Sequence, residues 1–322
     1  MGPFASMSRI RYYPDFELFR ELAEGFDLVP VYRRLVSDSL TPVTAFHKLD
    51  AGRCACLAES VTGGEKVGRY SFLATHPFLE IEAWEHRVIV NSYTGVSASG
   101  APLLETRQCI TDNPLGELRK RLEGLRVRTL PELPPFCGGA VGYVGYDVVR
   151  YYERLPNPPP DDRNIPDLSF GFYDRMVVFD HVTKSLIVVA LAHVNRPGWT
   201  IEDAYADACR RIDEAVNQLT HAPCELEPFD ISVESEPCIE YSSNFTREQF
   251  EEAVRKCIRY IEAGDVFQVV ISQGLEVPLQ AHPFEVYRAL RVINPSPFMF
   301  YVRSPSVTLA GSSPEILVRV VN

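Results

Sequence analysis

At 322 residues, the chain has room for two domains, or one large one, around an ample buried core. Hydrophobic residues make up 46% and charged residues 23%, the balance of a globular protein in water. A formal charge of -11 argues against a nucleic-acid or anionic-membrane partner, and no apolar run reaches the length of a membrane span. The first residues lack a hydrophobic signal core, so the expected location is the cytoplasm.

In chain order, residues 14–40 are expected to be helical, with Phe16, Leu18, Phe19, Leu22 and Phe26 as the apolar set. Thr41-Pro42 breaks this pattern, and Val43 to Leu49 reads as a strand. Cys54 to Leu57 has the look of a buried strand leading into Glu59-Ser60, a Gly63-Gly64 turn and a second strand from Arg69 to Leu73. A carboxylate beside a hydroxyl at a strand end can hold the ammonium and carboxylate of a small ligand, or it can simply form a turn. Residues 79–105 alternate in strand fashion, and Leu115 to Leu125 reads as a short helix. The glycines at 138, 139, 142 and 145 fit neither nucleotide-binding spacing and point to close backbone packing. Met176 to Phe179 and Leu186 to Ala192 form an expected hairpin.

Thr200 to Asp203 resembles a capping box, followed by Tyr205, Ala208, Ile212, Ala215 and Leu219 at helical spacing. From Ile212 to Thr246 there is no Lys or Arg, and residues 222–240 are acidic with scattered prolines. That composition places a domain over 1–220, an acidic linker over 221–244 and a second domain over 245–322. The second opens with a Thr246/Gln249 capping box and a helix with Phe250, Val254, Ile258 and Ile261 as its buried stripe, ended by Gly264. Val266 to Gln273 then reads as a strand on which Gln268 and Ser272 share a face. A helix with Pro283 near its start runs to Ile293 and stops at Asn294-Pro295-Ser296-Pro297. Phe298 to Val302 and Thr308 to Ala310 are the next strands, and Gly311 to Pro314 turns into an apolar strand from Ile316 to Val320. A core strand so near the last residue needs a neighbour for its backbone, so the chain is expected to be a piece of a larger protein. The eight cysteines form no C-x-x-C pair and the seven histidines are scattered singly, which gives no metal-ligand spacing.

The motifs TPVTAFHKL, LAESVTGGEKVGRYSF, GGAVGYVGYDVVRYYE, FQVVISQ, YRALRVINPSPFMFY and GSSPEILVRV together resemble the anthranilate synthase component I family. The resemblance covers nearly the whole chain, residues 27–190 matching the family's N-terminal domain and 247–321 the opening of its chorismate-binding domain. It implies an α+β fold, antiparallel β-sheets packed together with helices outside and the second domain incomplete. The implied activity is formation of anthranilate and pyruvate from chorismate, with ammonia from a glutamine amidotransferase partner (component II), a Mg²⁺ ion and feedback inhibition by tryptophan.

The same resemblance implies a tryptophan site at Glu59, Ser60, Pro297, Phe298 and Met299. Met299 taken alone reads as a core strand residue; the resemblance reverses that, and thioether and ring contacts suit an indole. Gln268 is implied as an active-site wall, in a place where related water-using synthases carry lysine. A neutral amide cannot act as that base, which favours an ammonia-using enzyme, anthranilate or aminodeoxychorismate synthase. Ala58 and Gly274 depart from the family's usual leucine and arginine. The family's Mg²⁺ carboxylates, catalytic histidine and chorismate-gripping residues are expected beyond residue 322, so this chain alone is expected to be inactive. A tryptophan-binding fragment without catalysis is the non-enzyme alternative.

Overall fold

A computed structural model describes residues 11–50, 54–60, 68–96, 102–232 and 239–320. The chain divides into two compact units, one holding the residues up to and including Pro228 together with those from Tyr287 on, the other running from Phe229 to Val286.

The first unit is built on antiparallel sheets. The N-terminal segment forms α1 (Phe16–Leu22) and then β1 (Leu28–Val36), not one long helix. LVPVYRRLV carries Pro30 in what would be a helix interior, along with β-branched residues, and it finds a full-length antiparallel partner in β10 (Ser185–His193). The segment expected as a strand from Val43 is instead α2 (Pro42–Leu49). Thr41 is its N-cap, closing a capping box with Thr44, and Pro42 takes the first helical position, where its missing N–H has no partner to lose. Thr41-Pro42 is therefore a start signal and not a break.

After α2 come β2 (Ala55–Glu59), β3 (Tyr70–Thr75), β4 (Leu79–Trp84), β5 (Arg87–Val96) and β6 (Pro102–Ile110). The Gly63-Gly64 turn expected between β2 and β3 lies outside the described residues. Then follow α3 (Pro114–Glu123), β7 (Gly139–Val144), β8 (Leu168–Tyr173), β9 (Arg175–Asp180), β10 and α4 (Ile201–His221). The expected β9–β10 hairpin and the Thr200/Asp203 capping box of α4 both form.

Among the described residues one sheet runs β1-β10-β9-β3-β2-β13-β14, with β13 (Phe298–Arg303) and β14 (Thr308–Ser313) following the acidic stretch in sequence. A second runs β6-β5-β4-β8-β7. Tyr32, Cys56, Met176, Val178, Ile187 and Val189 of the first sheet meet Tyr173 and Val141 of the second in one core. Helices α1, α2 and α4 cover the far face of the first sheet, and α3 puts Leu118 against Ile81, Val88 and Phe172 on the far face of the second. Both faces of β10 are thus buried, which explains its unbroken apolar run. Gly142 of β7 permits the closest approach: a Cβ there would stand 1.9 Å from the Ser169 carbonyl oxygen.

The second unit holds α5 (Arg247–Glu262) and a short ladder of β11 (Ser242–Ser243) with β12 (Leu275–Glu276). The Thr246/Gln249 capping box forms, and Gly264 follows the helix end at φ +80. Its expected stripe is not buried, however: Val254, Ile258 and Ile261 are all exposed. Val266 to Gln273 is not a strand either, with Phe267 93% exposed, and Ile316 to Val320 in the first unit is likewise irregular and exposed. The reason is common to both. A strand persists only where a neighbour takes its N–H and C=O groups, and no strand pairs with either segment among the described residues. Gly311 to Ser313, expected as a turn, continues β14 against β13. Helix α6 (Pro283–Ile293) begins in the second unit and ends in the first.

Candidate functional site

Strand β2 lies between β3 and β13, and its register with β13 sets Met299 opposite Glu59 and Tyr301 opposite Leu57. Opposed residues on antiparallel strands project to the same side, so Glu59 and Met299 share a face. The two sequence-predicted motifs, more than two hundred residues apart, are therefore cross-strand neighbours.

Glu59 is the charged point of this face, its side chain only 3% exposed. A carboxylate so far from water must be matched by donors. Helix α6 supplies them from Tyr287 and Arg291, four residues apart and so on one side of the helix. The Tyr287 hydroxyl donates to Oε2 at 2.7 Å, and Arg291 Nη2 donates to Oε1 at 3.2 Å. Arg291 Nε also approaches Oε2 to 2.9 Å, an ion-pair contact. Burial, with the Glu59 charge beside it, pushes the Tyr287 hydroxyl far above the usual phenol range, so it stays a donor. The Tyr287 ring sits 5.8 Å from that of Tyr301, which meets Phe46 of α2 edge-on at 5.5 Å.

On the β3 side, Ser71 Oγ lies 2.7 Å from Nε2 of His181, whose ring stacks on Phe179. Burial lowers the affinity of His181 for a proton, against the pull of the nearby Glu59 carboxylate. At the β13 end, Met299 is buried and its Sδ accepts from the Ser296 hydroxyl at 3.4 Å. Ser312 Oγ donates to the Asn294 carbonyl at 2.6 Å and ties the N-P-S-P turn to β14. Ser60, just past the end of β2, is half-buried, as are Pro297 and Phe298. Arg303 of β13 pairs with Asp50 at the end of α2, fixing the far end of the same strand.

The structure thus brings Glu59 and Met299 together, with Ser60, Pro297 and Phe298 adjoining them in sequence. Gln268 belongs to the other unit, where it is exposed. Tyr287, Arg291, Ser71 and His181 were missed by the sequence reading. The i, i+4 Tyr–Arg pair just before N-P-S-P was the available signal, had the burial of Glu59 been known. Chemically, a buried carboxylate beside a thioether and aromatic rings suits a cation carried on an aromatic body.

For a metal the donor set does not fit. Among the described residues no three His, Cys, Asp or Glu side chains converge to hold an ion. Nor, among those residues, is any helix long and apolar enough to cross a membrane.

Residues 56–322 match the model of the chorismate binding enzyme family, and the chain belongs to that family. Among curated proteins it is 37% identical over 315 residues to anthranilate synthase component 1 of Acetivibrio thermocellus, which covers 97% of this chain and 61% of the relative. It is 38% identical over 326 residues to the chloroplastic anthranilate synthase alpha subunit 1 of Arabidopsis thaliana, covering 95% of this chain and 53% of that protein. A crystal structure of anthranilate synthase component I from Streptococcus pneumoniae TIGR4 superposes with a TM-score of 0.60 at 28% identity, over 90% of this chain and 59% of that one. The chain spans between about half and three fifths of the length of these relatives.

Proposed function

We propose that this chain is part of the large subunit of an anthranilate synthase, a cytoplasmic lyase. The reaction is chorismate plus ammonia to anthranilate, pyruvate and water, the first committed step towards tryptophan. Support comes from relatives named as anthranilate synthase subunits along nearly the whole chain. In this reading a glutamine amidotransferase subunit delivers the ammonia, and the neutral Gln268 suits an ammonia-using enzyme better than a water-using one. In this reading the intact protein uses Mg²⁺, and no donor set among the described residues fits the ion. The 322-residue chain by itself makes no anthranilate.

The observation that carries the regulatory half of the reading is the pairing of Glu59 with Met299. In this reading tryptophan binds there: Glu59 faces its ammonium, Ser60 its polar end, and Pro297, Phe298 and Met299 flank the indole. The test is Ser60→Ala in the intact protein. A lost hydrogen bond to a charged group is worth about 1.5–3 kcal/mol, so inhibition should require about tenfold more tryptophan or beyond, with uninhibited turnover little changed. An unmoved inhibition curve would remove Ser60 from the site.

A further inference from the structure

We propose that Arg291 is a built-in competitor of the effector, holding Glu59 until a ligand ammonium takes its place. The proposal rests on the reading of Glu59 as the ammonium partner of tryptophan. Its own ground is the way Glu59 is satisfied without ligand. The two carboxylate oxygens take contacts from Tyr287 Oη, Arg291 Nη2 and Arg291 Nε at 2.7, 3.2 and 2.9 Å. Two of these contacts are hydrogen bonds, one to each oxygen, and the Nε approach is an ion-pair contact only, so a second cation meets a buried carboxylate whose charge is already matched by one guanidinium.

The two partners of the ion pair are not equally held. Glu59 is fixed in a central strand and 3% exposed, whereas the Arg291 side chain reaches in from a helix and is 30% exposed. Arg291 thus has a way out to water, where a guanidinium is well solvated, and Glu59 has none. An ammonium arriving at Glu59 therefore exchanges for Arg291 and does not add to it. The buried carboxylate keeps one cation throughout, which avoids the cost of an unmatched buried charge. A consequence is selectivity. A ligand with the same indole and carboxylate but no ammonium gives Glu59 nothing in exchange for Arg291.

The experiment measures dissociation constants of L-tryptophan and of indole-3-propionate, which lacks the ammonium, for the intact protein and two variants. In Arg291→Met the competitor is gone, and L-tryptophan should bind about tenfold tighter or more, with indole-3-propionate unchanged. In Arg291→Lys a cation still reaches Glu59, and L-tryptophan affinity should stay within about threefold of the parent. Unchanged or weaker L-tryptophan binding by Arg291→Met overturns the proposal while leaving the effector site in place. Absence of L-tryptophan binding in parent and variants alike overturns the effector reading and this proposal with it. If Arg291→Met does not fold, the side-chain Nε–H resonance of Arg291 in ¹⁵N-labelled parent protein decides. It should shift and exchange faster as L-tryptophan saturates, and a resonance that stays put overturns the proposal.

Discussion

His181 stands with one ring nitrogen on Ser71 and its ring against Phe179, and burial favours its neutral form. Its proton affinity in the folded chain is therefore below the ordinary imidazole value of 6.5, which the unfolded chain keeps. Between those two values the unfolded chain binds the extra proton, so stability is full above pH 6.5 and falls as the pH drops towards the lowered folded value. Urea midpoints between pH 7.5 and 5.5 should decline, and His181→Gln should flatten that decline; parallel curves would show that His181 is not the group responsible. Gly142 makes a second demand on a single residue. A methyl group there meets the Ser169 carbonyl oxygen at 1.9 Å, and the nearest atoms are all backbone of β8, with no flexible side chain to yield. Gly142→Ala should cost about 3 kcal/mol or more, read as a lower urea midpoint at unchanged slope. A loss below about 1 kcal/mol would mean that β7 and β8 separate easily.

Helices α4 and α5 start alike and end differently. Each has a full capping box and an apolar stripe, but α4 buries Ala208, Ile212, Ala215 and Leu219, while the stripe of α5 is exposed in its unit. Ile212→Ala should therefore cost about 2–5 kcal/mol and Ile258→Ala well under 1 kcal/mol in the same denaturation experiment. Equal losses would contradict the difference in burial. This pair also shows what the sequence makes legible. Caps, periodicity and chain punctuation are local, and they located α4, α5, the β9–β10 hairpin and β13 well. They failed where the deciding partner is distant. LVPVYRRLV became a strand because β10 lies alongside it, and Val266 to Gln273 did not because nothing pairs with it. The Thr41-Pro42 pair failed differently, since the same two residues stop one helix or start another. At the candidate site Glu59, Ser60 and Met299 were legible as motifs. Tyr287, Arg291 and His181 were not, because only the β2–β13 register and the placement of α6 give a buried carboxylate its donors.

For the molecule as a whole, one strand pairing joins two distant stretches of the chain. β13 extends the sheet begun by β1, β10, β9, β3 and β2, so a motif near residue 299 meets one near residue 59 on a single face. The chain belongs to the chorismate binding enzyme family, and in the proposed reading chorismate is the substrate and that face the place of control. The 322-residue chain given chorismate, ammonium and Mg²⁺ should form no anthranilate, and turnover by it would show that the needed groups are already present. The most direct test of the central claim is anthranilate fluorescence from the intact protein with chorismate, ammonium and Mg²⁺, with and without L-tryptophan. Anthranilate should form, and L-tryptophan should suppress its formation. Accumulation of aminodeoxychorismate in place of anthranilate, or turnover indifferent to L-tryptophan, would contradict that claim.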